Sequence, residues 1–231
     1  MPDVNLPMQL AELHRQRVVG ELVEAELART REVDWIIEGA GFVRARAHRG
    51  KQRLRRLHSL PDRVGPGMQV LVVGLNPSPA SADSGVGFHK AGNRFWPAVL
   101  AAGLASVDRD PDHAFVHCGM GMTDIVKRTT RRADEVSADE FRAGMARIEW
   151  VCEWLAPASV LMVGLQGWRT AVDRKAERGW QDRTCGGRPV YVMPSTSGLN
   201  AHDTVATLTG HVRAAIEPDH SSRGCGDGSG R

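Results

Sequence analysis

The sequence predicts an α/β protein built on an open parallel sheet, and three observations carry that reading. Four short apolar runs punctuate residues 67–217: MQVLVVG (68–74), AFVHCG (114–119), SVLMVG (159–164) and RPVYVMP (188–194). They are almost continuously apolar, as strands buried on both faces of a parallel sheet are. The stretches between them have helical length and pattern, and strands alternating with helices build a parallel sheet.

The elements follow in chain order. Residues 1–66 read as an N-terminal extension, with Leu10, Leu13, Val18, Leu22, Val23 and Leu27 at roughly helical spacing between Met8 and Ala28. Between Arg44 and Arg56 lie seven Lys or Arg residues, plus His48, and no acid. This run reads either as an arm that contacts phosphates or as a solvated basic stretch. PDRVGPG then breaks the chain before the core domain at 67–217. Within the core, FWPAVLAAGL (95–104) reads as a helix. So does SADEFRAGMARIEWVCEWLA (137–156), where Ser137 and Glu140 form a capping box. The tail, 218–231, is Gly/Ser-rich and expected to be disordered.

Composition excludes several classes. With 231 residues, 42% hydrophobic and 25% charged, the chain reads as one ordinary soluble domain with trimmings. No apolar run is long enough to span a bilayer, and the N-terminus has no secretory apolar region, so a cytoplasmic address is expected. Cys118, Cys152, Cys185 and Cys225 are scattered without a CxxC pair, which argues against zinc, iron–sulfur and disulfide frameworks. A net charge of +3 does not by itself point to nucleic acid.

Four segments carry chemistry. In an open α/β sheet, ligands bind at the carboxyl ends of strands. VLVVGLNPSPASADSG places Asn76 there, pinned by Pro77, either to orient a small group such as water or to close a turn. GVGFHKAGNRFW (85–96) holds Phe88 in a glycine-flanked polar loop, where its face can stack on a flat heterocycle, and Asn93, whose amide can read the edge. HCGMGMTDIVKRTTRRADE brings Asp124 to the same edge, with the cations Lys127 and Arg128 beside it, either to contact DNA or as part of a solvated helical face. A carboxylate there can assist a water or stabilise a developing cation. MPSTSGLNA (193–201) offers Ser195, Thr196 and Ser197 to phosphates. It also holds Leu199 between Gly198 and Asn200, as an apolar wedge or as part of an ordinary turn.

In that order and spacing, GLNPSPASADSG, GFHKAGNRFW, GMTDIVKRTT and YVMPSTSGLNA resemble the mismatch-specific uracil/thymine-DNA glycosylase family of the uracil-DNA glycosylase superfamily. The resemblance implies a three-layer sandwich around a four-stranded parallel sheet, with no metal or cofactor. It implies that Asn76 holds the hydrolytic water and that Phe88 stacks under a flipped base. Asn93 would lie in the base pocket, completed by Gly74, Leu75 and Ser81. The MPSTSGL loop would enter the duplex, and the partner would be double-stranded DNA containing uracil or a mismatch, bound by a monomer. The chain departs from the pattern in two places. Ser78 stands where many relatives have glycine, and Asp124 where lysine or asparagine is common. Two other readings stay open: a non-catalytic damaged-DNA binding protein, and an enzyme that hydrolyses free nucleosides.

Overall fold

The computed structural model describes residues 1–217; the tail expected to be disordered, with Cys225, lies outside them. The chain opens with α1 (Leu6–Arg15), β1 (Leu22–Glu24), α2 (Arg31–Gly39), β2 (Phe42–His48) and β3 (Lys51–Arg56). The helical spacing expected through Ala28 ends early. Val18 and Val19 are β-branched, and Gly20 turns the chain at φ 86°, so the next residues extend as β1. The three strands form an antiparallel sheet in the order β1-β3-β2.

The basic run 44–56 is therefore a hairpin. Arg49 and Gly50 both lie at positive φ, 50° and 79°, the combination that a two-residue type I′ turn needs. Leu54 and Phe42 point inward and meet Leu10, Val33, Ile36 and Ile37 from α1 and α2. This small core packs onto the rest of the molecule through Trp150 and Trp154.

The second part contains β4 (Val70–Gly74), α3 (Pro79–Ser84), α4 (Phe95–Ala102), α5 (Pro111–Cys118), β5 (Met120–Asp124), α6 (Ala138–Leu155), β6 (Ser159–Val163), α7 (Leu165–Ala171), β7 (Gly179–Trp180), β8 (Val190–Met193) and α8 (Val205–Ile216). The strand order is β5-β4-β6-β8-β7. All pairs are parallel except β7 with β8, so the sheet has five strands where four were expected. β7 is two residues long and carries no apolar run, which is why the sequence does not announce it.

One expected strand moves. AFVHCG lies mostly in α5: Asp110 caps it by accepting from His113 N, Pro111 starts it, and Gly119 ends it at φ 64°. Val116 is 67% exposed, which a central strand would not allow. The strand is instead Met120–Asp124, whose Gly121 leaves room for Met68.

Alternation along the strands makes two cores and thus three layers. Val70 and Val72 face α4 and α8 through Phe95, Trp96, Val99, Leu208 and Val212. Leu71 and Val73 face α6 and α7 through Phe141, Met145, Ile148 and Trp168. Ser137 and Glu140 form the expected capping box on α6. After β4 the chain goes to β5 on one side and later to β6 on the other, so a crevice opens at the carboxyl end of β4. Among the described residues no helix is long and apolar enough to cross a membrane.

Candidate active site

A cleft of about 900 Å³ opens at this sheet edge, bordered by the loops after β4, β5, β6 and β8. Asn76 lines it in the loop after β4. Its Nδ2 donates to Thr130 Oγ1 at 2.7 Å and to the Arg128 carbonyl at 3.1 Å. A carbonyl can only accept, so the amide orientation follows from the network. Among the described residues no protein donor reaches Oδ1, which is left as a positioned acceptor. The two loops are held together by Val126 N to Leu75 O and Thr130 N to Pro77 O, at 3.0 and 3.1 Å.

Phe88 reaches the cleft from a strained loop position at φ 56°, rare for a bulky residue. One face of its ring stacks on Phe95, with centroids 4.1 Å apart and planes 23° apart. Gly74 keeps the strand close to this ring. A Cβ there would lie 3.3 Å from Phe88 Cζ and would overlap Asp124 Oδ1. Ser81 is buried, and its hydroxyl meets Ser78 Oγ at 3.1 Å and accepts from His89 N at 3.4 Å, so it ties α3 to the Phe88 loop. Asn93 lines the cleft, but its Oδ1 accepts from Phe95 N at 2.9 Å, which starts α4 and leaves only the NH2 end for a ligand.

Asp124 ends β5 and is buried at the cleft wall. Burial pushes its carboxyl up to about 6, against the pull of the nearby Lys127 ammonium. Lys127, expected at the DNA surface, is not there. It is 5% exposed, and its Nζ donates to Asp62 Oδ1 at 2.6 Å. Arg128 is exposed, but it pairs with Glu140 through bonds of 2.7 and 3.0 Å.

The loop after β8 is tightly held. Ser197 N donates to Ser195 Oγ and Leu199 N to Ser197 Oγ, both at 3.3 Å. Thr196, expected to meet phosphates, is buried instead, and its carbonyl accepts from Arg94 N at 2.9 Å. The Arg94 guanidinium donates to the carbonyls of Ser197, Asn200 and Asp203. Beyond this clamp, next to exposed Gly198, Leu199 stands 89% exposed. Sequence reasoning misses Arg94, although it stands inside the quoted GNRFW. It also misses Thr130, which orients Asn76, and Asp62, which the sequence presents only as part of a chain break. Among the described residues no three His, Cys, Asp or Glu side chains form a metal-binding group.

These features define a class: an α/β protein with a cleft at the carboxyl edge of a mostly parallel sheet, lined by Asn76, Phe88 and Asp124, with the exposed Leu199 beside it. A family model described as the uracil DNA glycosylase superfamily matches residues 61–216, from the segment after β3 to the end of α8. The chain belongs to that superfamily.

Proposed function

We propose that the protein is a monofunctional, mismatch-directed DNA glycosylase. It hydrolyses the bond between uracil, or a related deaminated or mispaired base, and its deoxyribose. The observation that carries this reading is Asn76, which lines a cleft with Phe88 and Asp124 and whose amide nitrogen is bound to Thr130 and Arg128, leaving its Oδ1 without a protein donor among the described residues.

A base inside a duplex is out of reach, so it must leave the stack, at a cost of a few kcal/mol. That cost is lowest where pairing is poor, as in G·U and G·T pairs. Leu199 fills the vacated space, and Ser195 and Ser197 hold the adjacent backbone. The extruded ring lies against Phe88, with the Asn93 NH2 at its edge. The C1′–N bond breaks with its electron pair leaving on the base, so positive charge builds on the sugar. Asn76 Oδ1 accepts a hydrogen bond from the attacking water but cannot take its proton. An ionised Asp124 offsets the sugar's charge or receives that proton; otherwise the proton passes to solvent.

The test is incubation of purified protein with duplexes carrying G·U, G·T or A·U at one site, followed by alkali. Strand breaks at that site, fastest for the mismatches, are expected. Binding without breaks would make it a damage-binding protein. Turnover of free deoxyuridine would make it a nucleoside hydrolase.

A further inference from the structure

Behind the cleft wall lies a cluster of charges that the proposed chemistry does not use. Asp62, from the segment between β3 and β4, is buried. Its carboxylate accepts from Thr123 Oγ1 at 2.7 Å, Lys127 Nζ at 2.6 Å and Arg147 NH1 at 2.7 Å. Arg147 lies on α6, and its NH2 donates to the Asp124 carbonyl at 2.6 Å and to Thr123 Oγ1 at 3.1 Å. Asp62 N in turn donates to Gly39 O at 2.8 Å, at the end of α2.

The charge balance is informative. Lys127 and Arg147 are two buried cations, and Asp62 supplies one buried anion. Unpaired buried charge is costly, so one positive charge is left to be balanced. Asp124 is the adjacent acid: Lys127, Asp62 and Arg147 all act on it. From its other sides it meets Gly74 of β4 and Phe88, which carry no charge. Arg63 lines a small cavity together with Asp124 and Lys127, but it is paired with Asp112 at 2.7 Å. Lys90, Arg131, Arg132, Asp134 and Arg178 lie on the exposed part of the wider cleft, where solvent screens them.

We propose that Asp62, Lys127 and Arg147 are positioning residues: Arg147 fixes the end of β5, Lys127 and Arg147 favour the ionised Asp124 carboxylate in the cleft, and Asp62 holds both cations and tempers their effect. Arg147 fixes the backbone through the Asp124 carbonyl. Lys127 and Arg147 supply positive charge, and Asp62 limits how much of it Asp124 feels. Because Asp62 is anchored to α2, the N-terminal unit then helps to set the charge of the site. The inference rests on the proposed role of Asp124 only where activity is the readout.

The physical signature is a pair of shifts with opposite sign. Asp62→Asn removes a like charge and frees Lys127 to favour the Asp124 anion, so the midpoint of Asp124 moves down. Lys127→Met removes an opposite charge, so the midpoint moves up. Each shift should be on the order of one pH unit. Both variants break a buried pair and both lose stability, but loss of stability alone cannot produce opposite shifts. Lys127→Arg keeps the charge and should keep the midpoint.

The experiment is a carboxyl-carbon NMR titration of aspartate-labelled full-length protein, with Asp124→Asn assigning the resonance. In the unmutated protein Asp124 should titrate at about 6, with Asp62 ionised well below that midpoint. Opposite shifts in the two variants support the inference. Shifts of the same sign, no shifts, or an Asp62 that titrates with Asp124 would overturn it. If a variant does not fold, the two separate midpoints of the unmutated protein still decide. The pH dependence of single-turnover excision runs in parallel. An Asp124→Asn enzyme with an unaltered pH profile would remove the proposed role of Asp124 while leaving the NMR result to judge the charge network.

Discussion

The proposed reaction rests on one amide, Asn76, whose nitrogen is fully engaged and whose oxygen is not. Asn76→Ala should lower single-turnover excision by about 10²-fold or more, the scale of losing one positioned group, and leave binding to uracil-containing duplexes intact. Near-normal excision would mean that the water is held elsewhere. For Asp124 the sign follows from its position near pH 6. If the ionised form acts, activity is present above that value and falls as pH drops through it, reaching about a tenth at pH 5. Asp124→Asn should lower the plateau and erase that limb. A rate unchanged across pH would assign the carboxyl to the wall alone. In the proposed reaction Leu199 acts at a different step. Leu199→Ala should cost about tenfold on well-paired duplexes and little on single strands, where no stack needs opening. Equal losses on both substrates, measured by single-turnover kinetics, would indicate general misfolding. Asn76, Phe88 and Leu199 are prominent in the sequence because each looks out of place: an amide after a strand, an aromatic between glycines, a leucine in a polar loop. Lys127 and Thr196 mislead for the opposite reason. Their side chains look made for phosphate, and only tertiary contacts show that they are enclosed.

Among the elements, the hairpin of β2 and β3 departs furthest from its sequence reading. Arginines at alternate strand positions hide the two-residue period, and only Phe42 and Leu54 mark the inner face. Arg44 pairs with Asp34 at 2.6 Å and Lys51 with Glu24 at 2.6 Å. Arg46, Arg49 and Arg55 have no carboxylate partner among the described residues and are exposed. Changing these three to Gln should weaken all duplexes alike and flatten the salt dependence of binding, by about 0.9 in log–log slope for each phosphate no longer neutralised. Binding measured across a salt series decides: an unchanged slope would make the hairpin a packing element only. α5 and β5 carry the second lesson. An apolar Ala-Phe-Val run fits strand or helix equally well, and the deciding signals are the Asp110–Pro111 start and the Gly119 stop.

At the scale of the molecule, the alternation of strands and helices was legible because buried parallel strands leave unbroken apolar runs. The β5-β4-β6-β8 order was not, since sequence shows neighbours along the chain and not across a sheet. Nor did it show that the N-terminal unit is joined to the rest through Trp35 against Trp150, with ring centroids 5.6 Å apart, as well as through Asp62. Deleting residues 1–60 should therefore lower thermal stability by several degrees or produce aggregation, because Trp150 and Trp154 lose their cover. A truncated protein with an unchanged melting temperature would show that the packing is incidental.

The Arg94 clamp bears on how quickly a damaged site is captured. Three carbonyls on one guanidinium, with the adjacent Asn93 starting α4, leave the Leu199 loop already shaped before any duplex arrives. On the proposed function, the slow event in capture should then be the opening of the base pair and not a rearrangement of the protein. Capture rates across a set of lesions should rank by how readily each pair opens, and loosening the loop with Arg94→Ala should weaken that ranking.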